Sequence, residues 1–151
     1  LSAIDEARVV RAALDRAGDT KPLWLSFTLD DFVPGTLKSG ESIDTAVRVA
    51  AELGASAVLF NCCQAETISE GISIARRALP DSVRVGGYAN RFVAAHSTET
   101  QANAGIATFR DDLSPHEYCT FVRQWLDSGA TMVGGCCGME PAHIAEIVSL
   151  V

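Results

Sequence analysis

Short apolar runs alternate with stretches of helical periodicity along the whole of this 151-residue chain. That alternation limits the fold more than any other feature. Ala7, Val10, Leu14 and Ala17 recur at helical spacing after Ser2-Ala3-Ile4-Asp5, which has the form of a capping box. Gly18 and Pro22 end that helix, and Leu23 to Thr28 reads as a strand. Glu41 to Leu53 repeats the helical pattern with Ile43, Ala46, Val47, Ala50 and Leu53 on one face. Ser56 to Phe60 is the next strand, followed by a helix marked by Ile68, Ile72, Ala75 and Leu79. Val83 to Tyr88 is the third strand. Ser114-Pro115-His116-Glu117 is a second capping box, with proline at the first helical position. Tyr118, Phe121, Val122, Trp125 and Leu126 follow as an apolar face. Ala130 to Gly134 is the fourth strand, and Pro141 opens a last helix striped by Ile144, Ile147, Val148 and Val151. Strict alternation of this kind implies an α/β fold with a parallel sheet covered by helices. Open doubly wound sheets and (β/α)8 barrels both fit four such units.

The chain is one domain's worth, and 48% hydrophobic with 21% charged residues excludes wholesale disorder. A net charge of −7 argues against nucleic acid or an anionic membrane as the partner. No run approaches a membrane span, so the expected address is cytoplasmic. Neither glycine-rich phosphate fingerprint occurs, which counts against nucleotide binding. The sequence starts at Leu1, at a helix entrance, and reads as a piece with an upstream part.

Five cysteines are present, four of them as vicinal pairs, Cys62/Cys63 and Cys136/Cys137. A disulfide scaffold would spread an even number through loops, and neighbouring residues rarely form an unstrained bridge. Cys119 stands alone within a helical pattern and reads as core. Both pairs follow an apolar strand and precede a helix. Side chains alternate along a strand, so two adjacent cysteines reach one point only if the chain leaves β structure. Gly134, Gly135 and Gly138 supply that freedom. The strand ends carry Ser26 and Thr28, Asn61 to Cys63, Tyr88 and Asn90, and Cys136 and Cys137, where α/β folds concentrate function. Zinc in catalytic sites takes three protein ligands and an open fourth position. Cys136 and Cys137 offer two thiolates, and Cys62 is better placed than Cys63 to offer the third. Such a site would stabilise a bound thiol as thiolate and ready it to attack an alkyl group.

Asn61-Cys62 after an apolar strand, with Gly134-Gly135-Cys136-Cys137-Gly138 before a Pro-x-His-Ile helix start, resembles the zinc-dependent homocysteine S-methyltransferases. Leu25 to Thr28 and Gly87 to Asn90 are similar to that family's fifth and seventh strand ends. The family usually has proline where this chain has Ala89. The resemblance implies a (β/α)8 TIM barrel, of which residues 1–151 form the second half, the last four strands and their helices. It further implies zinc held by Cys62, Cys136 and Cys137, and methyl transfer to homocysteine to give methionine. Ser26, Asn61, Tyr88 and Asn90 are the candidate substrate-binding residues. The partners are then a small-molecule thiol, a methyl donor, and the N-terminal half of the barrel, in this protein or from a second chain. The family's opening Asp-Gly-Gly strand and the acidic end of its fourth strand have no counterpart in these residues. The rival expectations are a non-catalytic barrel fragment with a structural zinc site, and a redox protein cycling the vicinal cysteines.

The remaining residues read more plainly. Trp24 and Trp125 look like core, and His116 and His143 like surface or packing residues. Asp30 and Asp31 start a solvated loop or face a pocket mouth. The stretch from Ala89 to Leu113, holding His96, Asn103 and Arg110, is long enough for a substrate loop.

Overall fold

The computed structural model describes residues 1–95 and 108–150; His96, Asn103 and Val151 lie outside them. The elements run α1 (Ile4–Ala17), β1 (Leu23–Phe27), α2 (Ile43–Glu52), β2 (Ala55–Asn61), α3 (Ala65–Ala78), β3 (Arg84–Tyr88), α4 (Pro115–Asp127), β4 (Met132–Val133) and α5 (Pro141–Val148). The alternation expected from the sequence is therefore present. The sheet order is β1-β2-β3-β4, and each neighbouring pair is parallel.

Parallel neighbours joined in sequential order by crossovers of one hand put every helix on the same face. The register fits this. Leu23, Leu25, Phe27, Val58, Phe60 and Val85 are buried on the helix side. Gly87 lies on that side too, where a Cβ would stand 2.4 Å from Ile68 Cγ2, so only glycine lets α3 seat this closely. The opposite face carries Trp24, Ser26, Asn61, Arg84, Tyr88 and Met132, all exposed or half-buried. At its middle Ala57, Leu59 and Gly86 are buried. An open doubly wound sheet would cover both faces; among the described residues this sheet covers one.

Four expectations need correcting. Trp24 is not core: it is 54% exposed, because strand parity turns it onto the bare face. Trp125 is fully buried as expected. On α5 the buried residues are His143 and Ile147, whereas Ile144 and Val148 are exposed. His143 packs edge-on against Tyr118 and spans to Leu113 O, which rotates the helix away from its most apolar stripe. Ser2 does not cap α1: Ala3 is the N-cap, and the Glu6 carboxylate accepts the Ser2 and Ala3 amides. At α4 the expected box forms, Ser114 Oγ accepting from Glu117 N and Glu117 Oε2 from Ser114 N. β4 is also shorter than the five residues expected, since the chain bends away at Gly134.

Candidate metal centre

At the C-terminal rim of the sheet the sulfurs of Cys62, Cys136 and Cys137 lie within 4.8 Å of one another. Cys62 Sγ is 3.7 Å from Cys137 Sγ, and Cys136 Sγ is 3.8 Å from Cys137 Sγ. Tetrahedral zinc with bonds of about 2.3 Å needs ligand sulfurs about 3.8 Å apart. The donor set therefore fits that ion in chemistry and in spacing. Cys63, the alternative, is fully buried in the helix-side core.

Different backbone devices bring the three sulfurs together. After β4, Gly134 N donates to Gly87 O (3.2 Å), Cys136 N to Ala89 O (2.9 Å) and Arg91 N to Cys137 O (2.9 Å). The exit of β3 thus guides the cysteine turn residue by residue. Gly138 closes the turn at φ 79°, and a Cβ there would lie 2.8 Å from Phe109 Cε1. Behind it, the buried Tyr118 hydroxyl donates to Gly134 O (2.7 Å) and accepts from Ala89 N (3.1 Å). It satisfies two main-chain groups where β3 and β4 part. Cys62 is the one described non-glycine residue with positive φ, at 56°. That conformation costs a residue bearing Cβ on the order of 1–2 kcal/mol.

Protons reflect the crowding. Burial first, then the Cys136 and Cys137 thiols, pushes the Cys62 thiol up to about 12. Burial likewise pushes Cys63 up to about 12. Three clustered thiolates repel unless a cation lies among them.

The candidate substrate residues fall into two groups. Tyr88 Oη donates to Ser26 Oγ (2.7 Å), and Ser26 Oγ donates to Asn61 Oδ1 (2.8 Å). This chain joins the ends of β1, β2 and β3 on the bare face, beside the sulfurs. Asn90 is separate and only 8% exposed. Its Nδ2 donates to Cys62 O (2.9 Å) and its Oδ1 accepts from Phe92 N (2.9 Å).

Sequence reasoning missed the Tyr118 bridge and the Arg110 clamp. Arg110 binds Glu66, Asp112 and Gln64 at 2.8–2.9 Å, fastening residues 110–112 to the start of α3. It holds the Glu66 and Asp112 carboxyls below their usual range. Asp31 Oδ1 accepts from Gln64 N and Thr67 Oγ1, both at 2.8 Å, so it serves as a helix-end cap. It also lines a shallow cleft with Asp30 and Glu70. His116 is largely exposed.

The family model described as homocysteine S-methyltransferase matches residues 1–151. The chain belongs to the homocysteine S-methyltransferase family. Among its relatives, Homocysteine S-methyltransferase 4 of Zea mays is 29% identical over 97% of this chain and 41% of its own length. Selenocysteine methyltransferase of Astragalus bisulcatus is 25% identical, over 96% of the chain and 40% of the relative. Methionine synthase of Mycobacterium tuberculosis is 28% identical, over 93% of the chain and 11% of that protein. The chain thus spans about two fifths of the shorter relatives. The metallated form of the Escherichia coli homocysteine methyltransferase MmuM superposes with a TM-score of 0.73 at 22% identity. It covers all of this chain and 43% of that one, so the α/β parallel sheet matches part of a homocysteine methyltransferase fold.

Proposed function

We propose that this chain is the metal-bearing half of a homocysteine S-methyltransferase. In this reading its four strands complete a (β/α)8 barrel with further βα units, in the same protein or from a second chain. Its product is methionine, and its expected setting is the cytoplasm. The single observation that carries the proposal is three sulfurs from β2 and β4 at zinc-like spacing on one rim.

The barrel is supported by the sequential strand order and the uncovered face. Leu1 adds to it: its nitrogen donates to Ser26 O (2.7 Å) and its carbonyl accepts from Thr28 N (2.8 Å). Those two bonds bracket Phe27 as a parallel partner strand would. The bare face becomes the barrel interior, and Trp24 and Arg84 then pack against strands beyond these residues.

Cys62, Cys136 and Cys137 would hold zinc, which supplies the Lewis acidity that keeps a bound thiol ionised near neutral pH. The homocysteine thiol gives its proton to solvent. Its sulfur then forms the S–CH3 bond as the donor's bond to methyl breaks, and the donor leaves one methyl lighter. The Tyr88–Ser26–Asn61 chain fixes the polar wall beside that sulfur. Asn90 has its amide engaged with Cys62 O and Phe92 N.

The test is to assay methionine formation from homocysteine by mass spectrometry in the intact protein. S-methylmethionine, betaine and a methylated folate would each be offered, before and after zinc removal. Zinc-dependent product with one donor supports the proposal. Stoichiometric zinc with no turnover for any donor favours a structural clamp instead, and a zinc-free protein with a reversible disulfide favours redox work.

A further inference from the structure

We infer that Asn90 is a positioning residue for the metal centre: its amide holds Cys62 in the left-handed turn that carries the sulfur onto the rim. This rests on the reading of Cys62, Cys136 and Cys137 as one thiol site.

Parity makes the turn necessary. Asn61 pairs with Tyr88 and shares its face, the bare one. A regular β continuation would send Cys62 to the helix side, where Phe60 and Cys63 are fully buried. The positive φ of 56° breaks that alternation. Asn61 and Cys62 then both reach the rim, and Cys63 drops into the core.

Both polar groups of the strained residue are gripped by the exit of β3. Cys62 N donates to Tyr88 O (3.2 Å), and Cys62 O accepts from Asn90 Nδ2 (2.9 Å). Asn90 N donates to Cys63 O (3.2 Å), tying down the next peptide. The amide orientation is fixed by its neighbours. Oδ1 must face the Phe92 N–H and Nδ2 the Cys62 carbonyl, since the flipped amide would set donor against donor and acceptor against acceptor. A buried side chain with both ends so engaged acts through Cys62. Metal sites depend on such outer partners, and losing one typically costs 10–100-fold in metal affinity.

The test reads sulfur positions without metal. In chelator-treated intact protein, a bis-alkylating bimane would link close thiols, and peptide mapping would separate Cys62–Cys137 links from Cys136–Cys137 links. The second link is the control that normalises thiol reactivity, and circular dichroism with a urea melt confirms that each variant is folded under the linking conditions. Asn90→Ala removes the whole clamp; Asn90→Asp keeps the acceptor for Phe92 N and replaces the donor to Cys62 by a carboxylate oxygen. In both variants the Cys62–Cys137 link should fall about tenfold relative to the control. Affinity for Co(II), followed by thiolate charge-transfer absorption, should drop about 10–100-fold. A link ratio and Co(II) affinity within twofold of the parent in Asn90→Asp overturn the inference. If the parent links Cys62 to Cys137 but binds no Co(II), the metal reading fails instead, and the link ratio still decides the role of Asn90.

Discussion

Adjacent cysteines in this protein have opposite fates, and that contrast is open to test. Cys62 Sγ lies 3.7 Å from Cys137 Sγ, whereas Cys63 is sealed in the core. If the proposed function holds, Cys137→Ser should abolish tight zinc binding and lower methionine formation at least about 100-fold, read by chelator competition and assay. Cys63→Ala should leave metal binding unchanged and lose about 1 kcal/mol of stability through the small cavity it leaves. Acidity gives a second handle. The Cys62 thiol is pushed up to about 12 in the fold by burial and by its two thiol neighbours, against an ordinary value of 9.0. A raised value stabilises the folded state below the unfolded value and loses that contribution as pH rises through the folded one. Metal-free protein should therefore weaken from about pH 9 toward pH 12, and Cys62→Ser should weaken less, as urea melts in chelator would show. The thiol cluster itself was legible because paired cysteines at strand ends are chemically rare. Its supports were not, because Asn90 and Tyr118 act through main-chain hydrogen bonds that leave no spacing in the sequence.

At the scale of elements, the helices announced themselves through periodicity and caps, and the strands through apolar runs between glycine and proline. What periodicity could not reveal was which face would find a partner. α5 turned its His143 inward because Tyr118 and Leu113 receive it, and so left Ile144 and Val148 outside. One hydroxyl bridges the junction of β3 with β4. Tyr118→Phe would strand Ala89 N and Gly134 O in a buried setting, at a cost of about 1–3 kcal/mol. Denaturant melts of parent and variant should show that loss, and the GGCCG turn should exchange amide hydrogens faster. Arg110 holds a different junction. Its grip depresses the Glu66 and Asp112 carboxyls, so the stability it lends is present above their unfolded values of 4.5 and 3.8 and fades as pH falls through the lower folded ones. In an acid titration Arg110→Ala should remove that decline, with exchange at residues 110–112 as the readout.

For the whole molecule, the exposed face is the informative failure of sequence reading. A tryptophan inside a strand looks like core, and Trp24 will become core only if something lies across it. With Trp125→Phe as background, emission from Trp24 should be red-shifted and readily quenched by acrylamide in the 151-residue chain alone. Under the proposed barrel it should become blue-shifted and protected once further βα units complete the sheet. Unchanged quenching in the longer protein would argue against barrel closure.

The two strands that supply the sulfurs are not neighbours: β3 lies between them, and β4 is only two residues long. An ion gripped from both sides would work as a buckle, fastening the weakest strand to a strong one over the top of the strand that separates them. Stripping such an ion should loosen the last strand and helix well before the rest of the protein melts; under the proposed function, the atom that would ready the substrate would then also keep the end of the chain in place.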